Sequence, residues 1–400
     1  MQNNKLKIGV LCHYPFPKGM AATTRIIAYC KGLQEHGVRT QVFVHTWIKD
    51  TDGIPLHDKV EGVEYFNAYS YKSTSGKLHK VLVDKPRMFL HTIKNIMKSN
   101  KEEQFDYILI AFDKINLMRI YVPLLSLLGI KLAFIADEYP EPIRKLKTKI
   151  PFTMKVFYKI IHRMFHFRVL MTRNLQMYYD GEICKRETHI MSSIVDIHRF
   201  DGLRKQEVPR QYMCYMGNFD LKKDNVDNIV EAFALISDAH PDVDLYLYGT
   251  PTSSDRKIIE NLIKEKNLDE RVFIKGRVDY DLVPQVLMNA TILVTSQPQT
   301  KRAEGGFPTK MGEYMMTGNP VILTDVGEIH QYITDGENAY MVAPHDPKVY
   351  ADRLNYILNN YEDAKEVAVC GKKYILNNFS TEKICKDLKH FLLEHKHQNH

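Results

Sequence analysis

Short runs of apolar residues alternate along this chain with longer segments in which apolar residues recur every three or four positions. Such runs are typical of buried parallel strands, and the longer segments of helices that pack on them. In the first half we predict strands at residues 5–12, 40–46, 107–111 and 131–136, and helices at 22–36 and 117–128. A strand, a glycine-containing loop, a helix and a further strand form a βαβ unit, which indicates an α/β fold.

The alternation starts afresh in the second half of the chain. We predict strands at residues 211–216, 244–248, 271–274, 291–295 and 321–324, and helices at 225–238, 254–266, 282–288 and 308–317. A chain of 400 residues is too long for one ordinary core and suits two domains. We therefore expect two doubly wound, Rossmann-like domains, 1–203 and 204–380, whose ligands bind beyond the carboxyl ends of the strands.

Composition narrows the class of protein. With 44% apolar and 26% charged residues the chain is an ordinary globular protein. It has no apolar run long enough for a membrane span, and the first residues do not resemble a signal peptide, so we expect a cytosolic protein. The six cysteines are scattered, which favours neither a zinc site nor a disulfide framework.

The charge is unevenly distributed. Residues 1–200 contain 31 Lys and Arg against 18 Asp and Glu, whereas residues 201–400 contain 24 against 30. Two basic stretches stand out, 72–101 and 142–179, and the second alternates basic and apolar residues. Each stretch is either the solvated outer face of a helix or a surface for anionic membranes. Nucleic acid is disfavoured because no nucleic-acid motif accompanies the charge.

The most informative segment lies at residues 304–325. Glu304, Gly305, Gly306, Phe307, Pro308, Thr309 and Lys310 lead into a predicted helix that contains Glu313 and ends before Gly318. Pro suits the first helical position and Gly the position after the last. The free N–H groups of the first turn, together with the Lys310 ammonium, would attract a phosphate.

Glu313 lies three residues after Lys310 and therefore on the same face of the predicted helix. At that depth its carboxylate could accept hydrogen bonds from the two hydroxyls of a ribose. The alternative is an ordinary surface pair of Lys and Glu. The flanking glycines and proline favour a nucleotide-sugar site.

This segment resembles the retaining glycosyltransferases of group 1, also called family 4, which have the GT-B fold of two facing Rossmann-like domains. The usual family pattern is Glu, seven residues, Glu, and the second glutamate, which binds the ribose, matches Glu313. Eight residues before Glu313 stands Gly305, with Glu304 one position too early. The first glutamate, which contacts the transferred sugar in the family, is therefore shifted or absent here. The resemblance also implies that the last helix, about 381–400, returns to the first domain.

Other donor-site residues follow from the same resemblance. After the strand at 211–216, the family has a glycine, matched by Gly217, an arginine, replaced here by Asn218, and a lysine that grips the diphosphate, matched by Lys222 or Lys223. A lysine retains the charge of the grip but not the bidentate geometry of arginine. Further matches, each weak by itself, are Arg277 and Val278 beside the nucleobase, and Gly249 and Gly19 where the backbone approaches the donor.

Carboxylates follow two predicted strands of the first domain. Asp137 and Glu138 come after the strand at 131–136, and Asp113 after the strand at 107–111. In this position they could orient an acceptor hydroxyl or remove its proton, and we rank Asp137 first, Asp113 second and Glu138 third. The alternative is that they cap turns and helices. Lys223 and Lys310 complete the catalytic candidates, since they would stabilise the leaving diphosphate.

We therefore predict a retaining glycosyltransferase that moves a sugar from a UDP- or GDP-sugar to a glycan or polyprenyl-linked acceptor, at the inner membrane face, without a metal or other cofactor. Asp-x-Asp pairs, which metal-dependent transferases use, occur three times, about as often as chance gives in this composition. Two alternatives stay open: a nucleotide-sugar epimerase of the same fold, which the Gly-Phe-Pro segment fits less well, and an inactive sugar-nucleotide-binding partner of another transferase.

Overall fold

The computed structural model describes residues 6–19, 21–72, 76–146 and 151–398. Parallel strands dominate this part of the chain, as the apolar runs predict. The strands are β1 (Lys7–Cys12), β2 (Arg39–Lys49), β3 (His57–Val60), β4 (Val63–Tyr71), β5 (Tyr107–Ala111), β6 (Leu132–Ala136), β7 (Arg168–Leu170), β8 (Thr188–Ile190), β9 (Gln211–Met216), β10 (Val243–Tyr248), β11 (Val272–Gly276), β12 (Ile292–Val294), β13 (Val321–Thr324) and β14 (Tyr340–Val342).

Helices connect most of these strands. They are α1 (Ala21–Glu35), α2 (Lys77–His79), α3 (Lys85–Glu102), α4 (Ile115–Leu127), α5 (Glu141–Leu146), α6 (Phe152–His162), α7 (Arg173–Tyr178), α8 (Leu221–Asp224), α9 (Val226–Ile236), α10 (Ser253–Glu265), α11 (Val283–Asn289), α12 (Lys301–Gly305), α13 (Lys310–Met316), α14 (Pro347–Asn359), α15 (Tyr361–Asn378) and α16 (Thr381–Gln398). No helix in the described ranges is long and apolar enough to cross a bilayer.

The first compact unit comprises Met1–Ile194 and Thr381–His400. Its sheet has the order β3-β4-β2-β1-β5-β6-β7-β8, in which β3 is antiparallel to β4 and the other pairs are parallel. The helix α16 packs on α1 so closely that a Cβ on Gly32 would lie 2.5 Å from Thr381 Cγ2 and 2.6 Å from Cys385 Sγ. Glycine at position 32 therefore allows the end of the chain to join this unit.

The second unit, Val195–Ser380, has a parallel sheet of order β11-β10-β9-β12-β13-β14. Buried aliphatic and aromatic side chains of its strands pack against α9 and α14. Along the chain, β9, β10 and β11 follow one another toward one edge of the sheet, and β12, β13 and β14 toward the other edge. The strand order therefore reverses beside β9, and doubly wound sheets bind ligands at such a reversal. The residues that follow β9 are therefore positioned for a ligand.

The predicted fold class is confirmed, since both units are α/β with doubly wound sheets. The predicted strands agree with the structure to within a few residues, but the hairpin of β3 and β4 and the short strands β7, β8 and β14 were not predicted. The predicted helix at 308–317 is shorter, because Pro308 and Thr309 form only the turn before Lys310. Gly318, at φ 74°, follows the end of this helix as expected. The two units divide at Ile194 and Val195, earlier than the predicted domain boundary.

The basic stretch 142–179 does not form one continuous surface. Arg168 is fully buried, and its guanidinium donates to Asp180 Oδ1 at 3.1 Å and to the carbonyl of Cys184 at 2.8 Å. A strand position in the interior of the sheet explains why this arginine points inward with a paired charge. Lys147 and Lys149 lie outside the described residues. Lys155 and Lys159 of α6, which are half-buried, stay candidates for a membrane surface.

Candidate functional site

The ends of β9 and β10 meet at two glycines. The N–H of Gly217 donates to Tyr248 O at 3.0 Å, and a Cβ on Gly249 would lie only 2.1 Å from Gly217 O. Gly249 also has φ 147°, a conformation that other residues rarely adopt. Gly249 is thus needed for the close approach of the two strand ends, and Gly217 leaves space for side chains from other elements.

Lys310 occupies the space above Gly217. A Cβ on Gly217 would lie 2.0 Å from Lys310 Nζ, so a larger residue there would displace the ammonium. The ammonium donates to Asp224 Oδ1 at 2.9 Å and to the Tyr215 hydroxyl at 3.2 Å, and lies 4.5 Å from the centre of the Tyr215 ring. The structure thereby places the predicted lysine at the carboxyl end of β9.

Asp224 and Lys310 form a buried ion pair. Asp224 is 2% exposed and Lys310 24%. Burial lowers the pKa of the Lys310 ammonium, and the carboxylate of Asp224 opposes that shift. Burial would raise the pKa of Asp224, but the ammonium of Lys310 outweighs it and holds this pKa below its usual value. Asp224 was not predicted as a site residue, although it directly follows Lys223.

Tyr314 fixes α13 against the end of β9. Its hydroxyl accepts from the N–H of Met216 at 2.8 Å and donates to the carbonyl of the same residue at 3.1 Å. Because Tyr314 and Lys310 belong to the same short helix, this contact fixes where the helix places Lys310. The tyrosine therefore supports the site without being among its predicted members.

Glu313 is paired with Arg199, one turn along α13 from Lys310. Arg199 Nη1 donates to Glu313 Oε1 at 2.6 Å, and its Nη2 donates to Tyr280 O at 2.6 Å. The guanidinium lies 3.7 Å from the centre of the Tyr280 ring, a cation–π contact. Burial raises the pKa of the Glu313 carboxyl, and the guanidinium of Arg199 opposes this. One carboxylate oxygen is thus held, and the group points in a fixed direction.

Arg199 is a second site residue that the sequence did not reveal. It belongs to the 3₁₀ turn Ile197–Phe200, whose N-cap Asp196 accepts from the N–H of His198 at 3.2 Å. In the sequence this turn lies just before the predicted domain boundary at residue 203. Its position in the fold, beside α13, could not be read from the spacing of 114 residues between Arg199 and Glu313.

The other residues predicted for the donor site have different environments. Asn218, Lys222 and Arg277 are exposed, and Lys223 and Val278 are half-buried. Glu304 lies in α12 and pairs with Lys301 at 2.7 Å. Gly305 is buried at the end of α12, and Gly306, Pro308 and Thr309 form the connection to α13.

The Phe307 side chain is part of the core of the second unit. It is 8% exposed, and its ring centre lies 5.0 Å from that of Tyr332 and 5.9 Å from that of Phe379. Phe307 thus anchors the segment between the glycines and Lys310, and any contact of this residue with a donor would come from its backbone.

The predicted carboxylates of the first unit follow neighbouring strands. The sheet order places β1, β5 and β6 side by side, so the residues after them share one edge. Arg25 of α1 lies under this edge, 7% exposed, with Nη1 3.3 Å from Asp137 Oδ1 and Nη2 donating to Met191 O at 2.5 Å. Burial raises the pKa of the Asp137 carboxyl, Arg25 opposes this, and the charge of Glu138 adds to it. A raised pKa suits a general base.

Asp113 has a different environment. Its Oδ2 accepts from the backbone N–H of Glu141 at 2.9 Å, at the start of α5, and its carbonyl accepts from the Tyr158 hydroxyl at 3.0 Å. This arrangement is that of a helix cap contributed from a neighbouring strand end. Gly19 lies in the loop before α1, where a Cβ would lie 2.1 Å from Thr23 Oγ1.

Among the residues that the structure describes, no group of three His, Cys, Asp or Glu is arranged to hold a metal ion. One of the Asp-x-Asp pairs has a clear structural role. Asp244 is 2% exposed, and its carboxylate accepts from Arg210 at 3.0 Å and from Arg271 at 3.1 Å. Its charge is therefore satisfied inside the second unit.

Part of the chain matches a family of known proteins. Residues 201–374 match the family model described as glycosyl transferases group 1. The chain is similar to the poly(ribitol-phosphate) alpha-N-acetylglucosaminyltransferase of Staphylococcus aureus (strain COL), with 29% identity over 160 residues that cover 40% of this chain and 31% of that protein. The similarity thus spans about a third of that relative.

Solved structures resemble the chain over nearly its whole length. Sucrose-phosphate synthase from Thermosynechococcus elongatus has a TM-score of 0.75 and 16% identity, and the alignment covers 98% of this chain and 99% of that one. Anabaena Alr3699/HepE in complex with UDP-glucose has a TM-score of 0.70 and 12% identity, and the alignment covers 97% and 100%. At such identities the likeness shows the fold alone, and it confirms the predicted GT-B class.

Proposed function

Through residues 201–374 the chain belongs to the glycosyl transferases group 1 family, and from this premise we propose that it transfers a sugar from a nucleotide diphosphate donor. The donor is a UDP- or GDP-sugar and the acceptor a glycan or a polyprenyl-linked glycan. The transfer retains the anomeric configuration and uses no metal. The sugar passes through a state with oxocarbenium character, while negative charge develops on the diphosphate.

The observation that carries this proposal is the Lys310 ammonium above Gly217, with Glu313 one turn further along α13. A fixed positive charge at this position would stabilise the leaving diphosphate as its charge develops. The mobile side chains of Lys222 and Lys223 would add charge around it. Glu313, with one oxygen held by Arg199, has the other oxygen for a ribose hydroxyl. The helix α13 thereby presents the two groups that the donor needs.

The names of similar proteins support the donor and acceptor classes. One of the structural neighbours was solved with UDP-glucose, and the Staphylococcus aureus relative is named for transfer of N-acetylglucosamine to poly(ribitol-phosphate). In the first unit, Asp137 is the candidate to orient the acceptor hydroxyl or accept its proton, with Glu138 beside it. We assign this role from position and pKa, since both suit a base.

The inactive-partner alternative draws on two observations. Glu304 is paired with Lys301 in α12, and the exposed Asn218 stands where the family has arginine. A protein of this kind would bind the sugar nucleotide without turning it over. Incubation with UDP- and GDP-sugars, with detection of the released nucleotide, separates the two functions, and we expect release that increases when a glycan acceptor is added.

Thermal unfolding with UDP, GDP, CDP and ADP tests the donor site directly. A nucleotide at about 100 times its dissociation constant adds roughly 2.7 kcal/mol of stability. We expect one of the four to raise the melting temperature of the wild-type chain and to have little effect on Glu313→Gln. Glu260→Gln, which also breaks an ion pair with an arginine, is the matched control and should respond like the wild type. If the Glu313→Gln variant showed the full increase in melting temperature, Glu313 would not be the residue that binds the ribose.

We also propose that the first unit binds anionic membrane surfaces through α6. Phe152, Val156 and Ile160 are spaced by four residues and are 79%, 40% and 54% exposed, so they form one apolar stripe. Lys155 and Lys159 flank the stripe on the same helix, and Arg119 of α4 lies 4.7 Å from the centre of the Phe157 ring. An apolar stripe with basic neighbours suits the interface of a bilayer that contains anionic lipid.

Sedimentation with lipid vesicles tests the membrane surface. We expect the wild-type chain to bind vesicles of phosphatidylcholine with phosphatidylglycerol and not vesicles of phosphatidylcholine alone. The double variant Phe152→Glu/Ile160→Glu should lose this binding and keep its melting temperature. Leu235→Glu, at an exposed leucine of the second unit, is the control and should bind like the wild type. Equal binding by both variants would contradict an interface at α6.

A further inference from the structure

The ammonium of Lys310 has three hydrogens and two hydrogen-bond partners in the described part of the chain, Asp224 Oδ1 and the Tyr215 hydroxyl. These two partners hold Nζ above Gly217. The third hydrogen remains for a ligand, and the 24% exposure of Lys310 shows that the side chain is accessible. The geometry is that of a cation held in place before a ligand binds.

Asp224 is the partner that carries charge. It lies in the interior, 2% exposed, at the end of α8, where Asn225 adopts a left-handed conformation (φ 48°) before α9 begins. The turn therefore directs the carboxylate inward, beneath the lysine, rather than toward solvent. A buried carboxylate costs free energy unless it is paired, and Lys310 is its pair.

We propose that Asp224 is a positioning residue, which holds the Lys310 ammonium above Gly217 and keeps it charged for the leaving diphosphate of the donor. The inference rests on the proposed function, because the diphosphate is the ligand that the charged lysine would contact. It adds to that function a residue outside the motif that identifies the family, and a dependence of donor binding on pH.

The charged and titratable groups around Lys310 determine that dependence. They are Asp224 and Lys223 from the turn, Tyr215 from β9 and Tyr314 from α13. Burial lowers the pKa of Lys310, Asp224 raises it, and Lys223 lowers it. Both tyrosines have pKa values raised well above the ordinary value, so they stay neutral. Asp224 is therefore the group that favours the charged lysine.

Replacement of Asp224 by Asn has two opposite effects on diphosphate binding. It removes a negative charge close to the anion, which strengthens binding, and it lets Lys310 lose its proton at a lower pH, which weakens binding. The first effect dominates below the pKa of Lys310 and the second above it. We therefore expect the affinities of the wild type and Asp224→Asn to diverge as pH rises, with the variant losing affinity first.

The protonation of Lys310 can be measured without any nucleotide. In protein labelled with ¹³C at lysine Cε, the Lys310 signal is assigned by its absence from Lys310→Arg and titrated with pH. We expect Asp224→Asn to lower the pKa of Lys310, whereas Asp227→Asn, which removes a carboxylate on α9, leaves it unchanged. An unchanged pKa in Asp224→Asn, or an equal shift in Asp227→Asn, overturns the inference.

Calorimetry with UDP and GDP between about pH 8 and pH 9.5, where the terminal phosphate is almost fully ionised, tests the link to the donor. For Asp224→Asn we expect the affinity at the upper end to fall roughly tenfold for each unit by which the pKa of Lys310 is lowered. In Lys310→Arg/Asp224→Asn the guanidinium stays charged, and this loss should disappear. A loss that persists in the double variant overturns the inference.

Failure of the proposed function gives a different result. If neither nucleotide binds the wild-type chain at any pH, the donor chemistry is wrong, and so is the diphosphate contact of Lys310. The lysine titration still decides whether Asp224 holds the ammonium in its charged form. The two measurements thus separate an error about the ligand from an error about the residue.

Discussion

The two clusters at strand ends, one in each unit, hold their charged side chains in different ways. In the second unit, Lys310 and Glu313 are each paired with an opposite charge from a distant part of the chain, and each keeps capacity for a ligand. In the first unit, Asp113 accepts from a backbone N–H and Asp137 faces the buried Arg25. Position at the end of a parallel strand therefore does not by itself distinguish a ligand-binding side chain from one that stabilises the fold.

The difference also explains why the motif was informative in one unit and not in the other. In the second unit the glycines, the lysine and the glutamate lie within one segment, and their order is a recognisable pattern. In the first unit three carboxylates follow strands with no pattern beyond their position. Substitutions in the two clusters can show whether the two units also differ in function, and they are taken from the largest expected effect to the smallest.

Lys310→Ala should have the largest effect. The substitution removes the positive charge that would stabilise the diphosphate, and we therefore expect kcat/KM to fall about 10²–10³-fold. It also leaves Asp224 buried without its partner, which costs about 3–5 kcal/mol of stability. Lys310→Ala/Asp224→Asn should regain most of the melting temperature but not the activity. Recovery of both would show that Lys310 has only a structural role and would remove the contrast between the units.

Asp137→Asn tests the first unit. If Asp137 accepts the proton of the acceptor hydroxyl, we expect kcat for transfer to fall about 10²-fold or more, with nucleotide binding unchanged. Nucleotide binding by the same variant is the internal control, because it does not need this base. If the variant kept full kcat, or lost stability and activity together, the pair of Asp137 and Arg25 would have a structural role only.

Much of the fold could be predicted from the sequence, because the apolar runs of buried parallel strands are local signals. The edge hairpin was missed because β3 is short and polar, with its side chains mostly exposed. The positions of Lys310 and Glu313 on one helix were also predictable, since Glu313 lies three residues after Lys310. Their partners were not, because Asp224 lies 86 residues and Arg199 114 residues away, and only tertiary packing brings them together.

The partner of Asp113 was equally hidden. Its partner is the N–H of Glu141, in an adjacent connection of the sheet, and no sequence spacing indicates that a residue after β5 caps a helix after β6. The sequence also made Arg168 part of a basic surface, whereas its position in β7 buries it. In each case the missing information was which elements are neighbours, and the order of strands supplies it.

Arg199→Ala should have a smaller effect, and one that depends on pH. The pKa of Glu313 is raised in the folded chain, so ionisation of this carboxyl opposes folding, and stability falls as pH rises from the unfolded pKa through the folded one. Without Arg199 the folded pKa rises further. We expect Arg199→Ala to lose about 1 kcal/mol more at about pH 7.5 than at about pH 4, a modest value because Glu313 is 35% exposed.

Urea unfolding at the two pH values measures this difference. Arg199→Ala/Glu313→Gln is the control, since without the carboxylate the dependence on pH should disappear. The loss of the contact with Tyr280 contributes equally at both pH values and so cancels from the comparison. An Arg199→Ala variant whose loss is the same at both pH values would show that the guanidinium acts through Tyr280 alone.

The smallest effect should come from Asp113, and it completes the contrast with Asp137. Asp113→Ala removes the acceptor for the Glu141 N–H at the start of α5, and loss of a helix cap costs about 1 kcal/mol. Asp113→Asn keeps an acceptor oxygen of similar position, so we expect near wild-type stability. Neither variant should change kcat by more than about twofold, a difference of roughly 0.4 kcal/mol in the barrier. If Asp113→Asn instead lowers kcat as Asp137→Asn does, both carboxylates take part in the reaction, because Asn retains the cap and lacks only the charge.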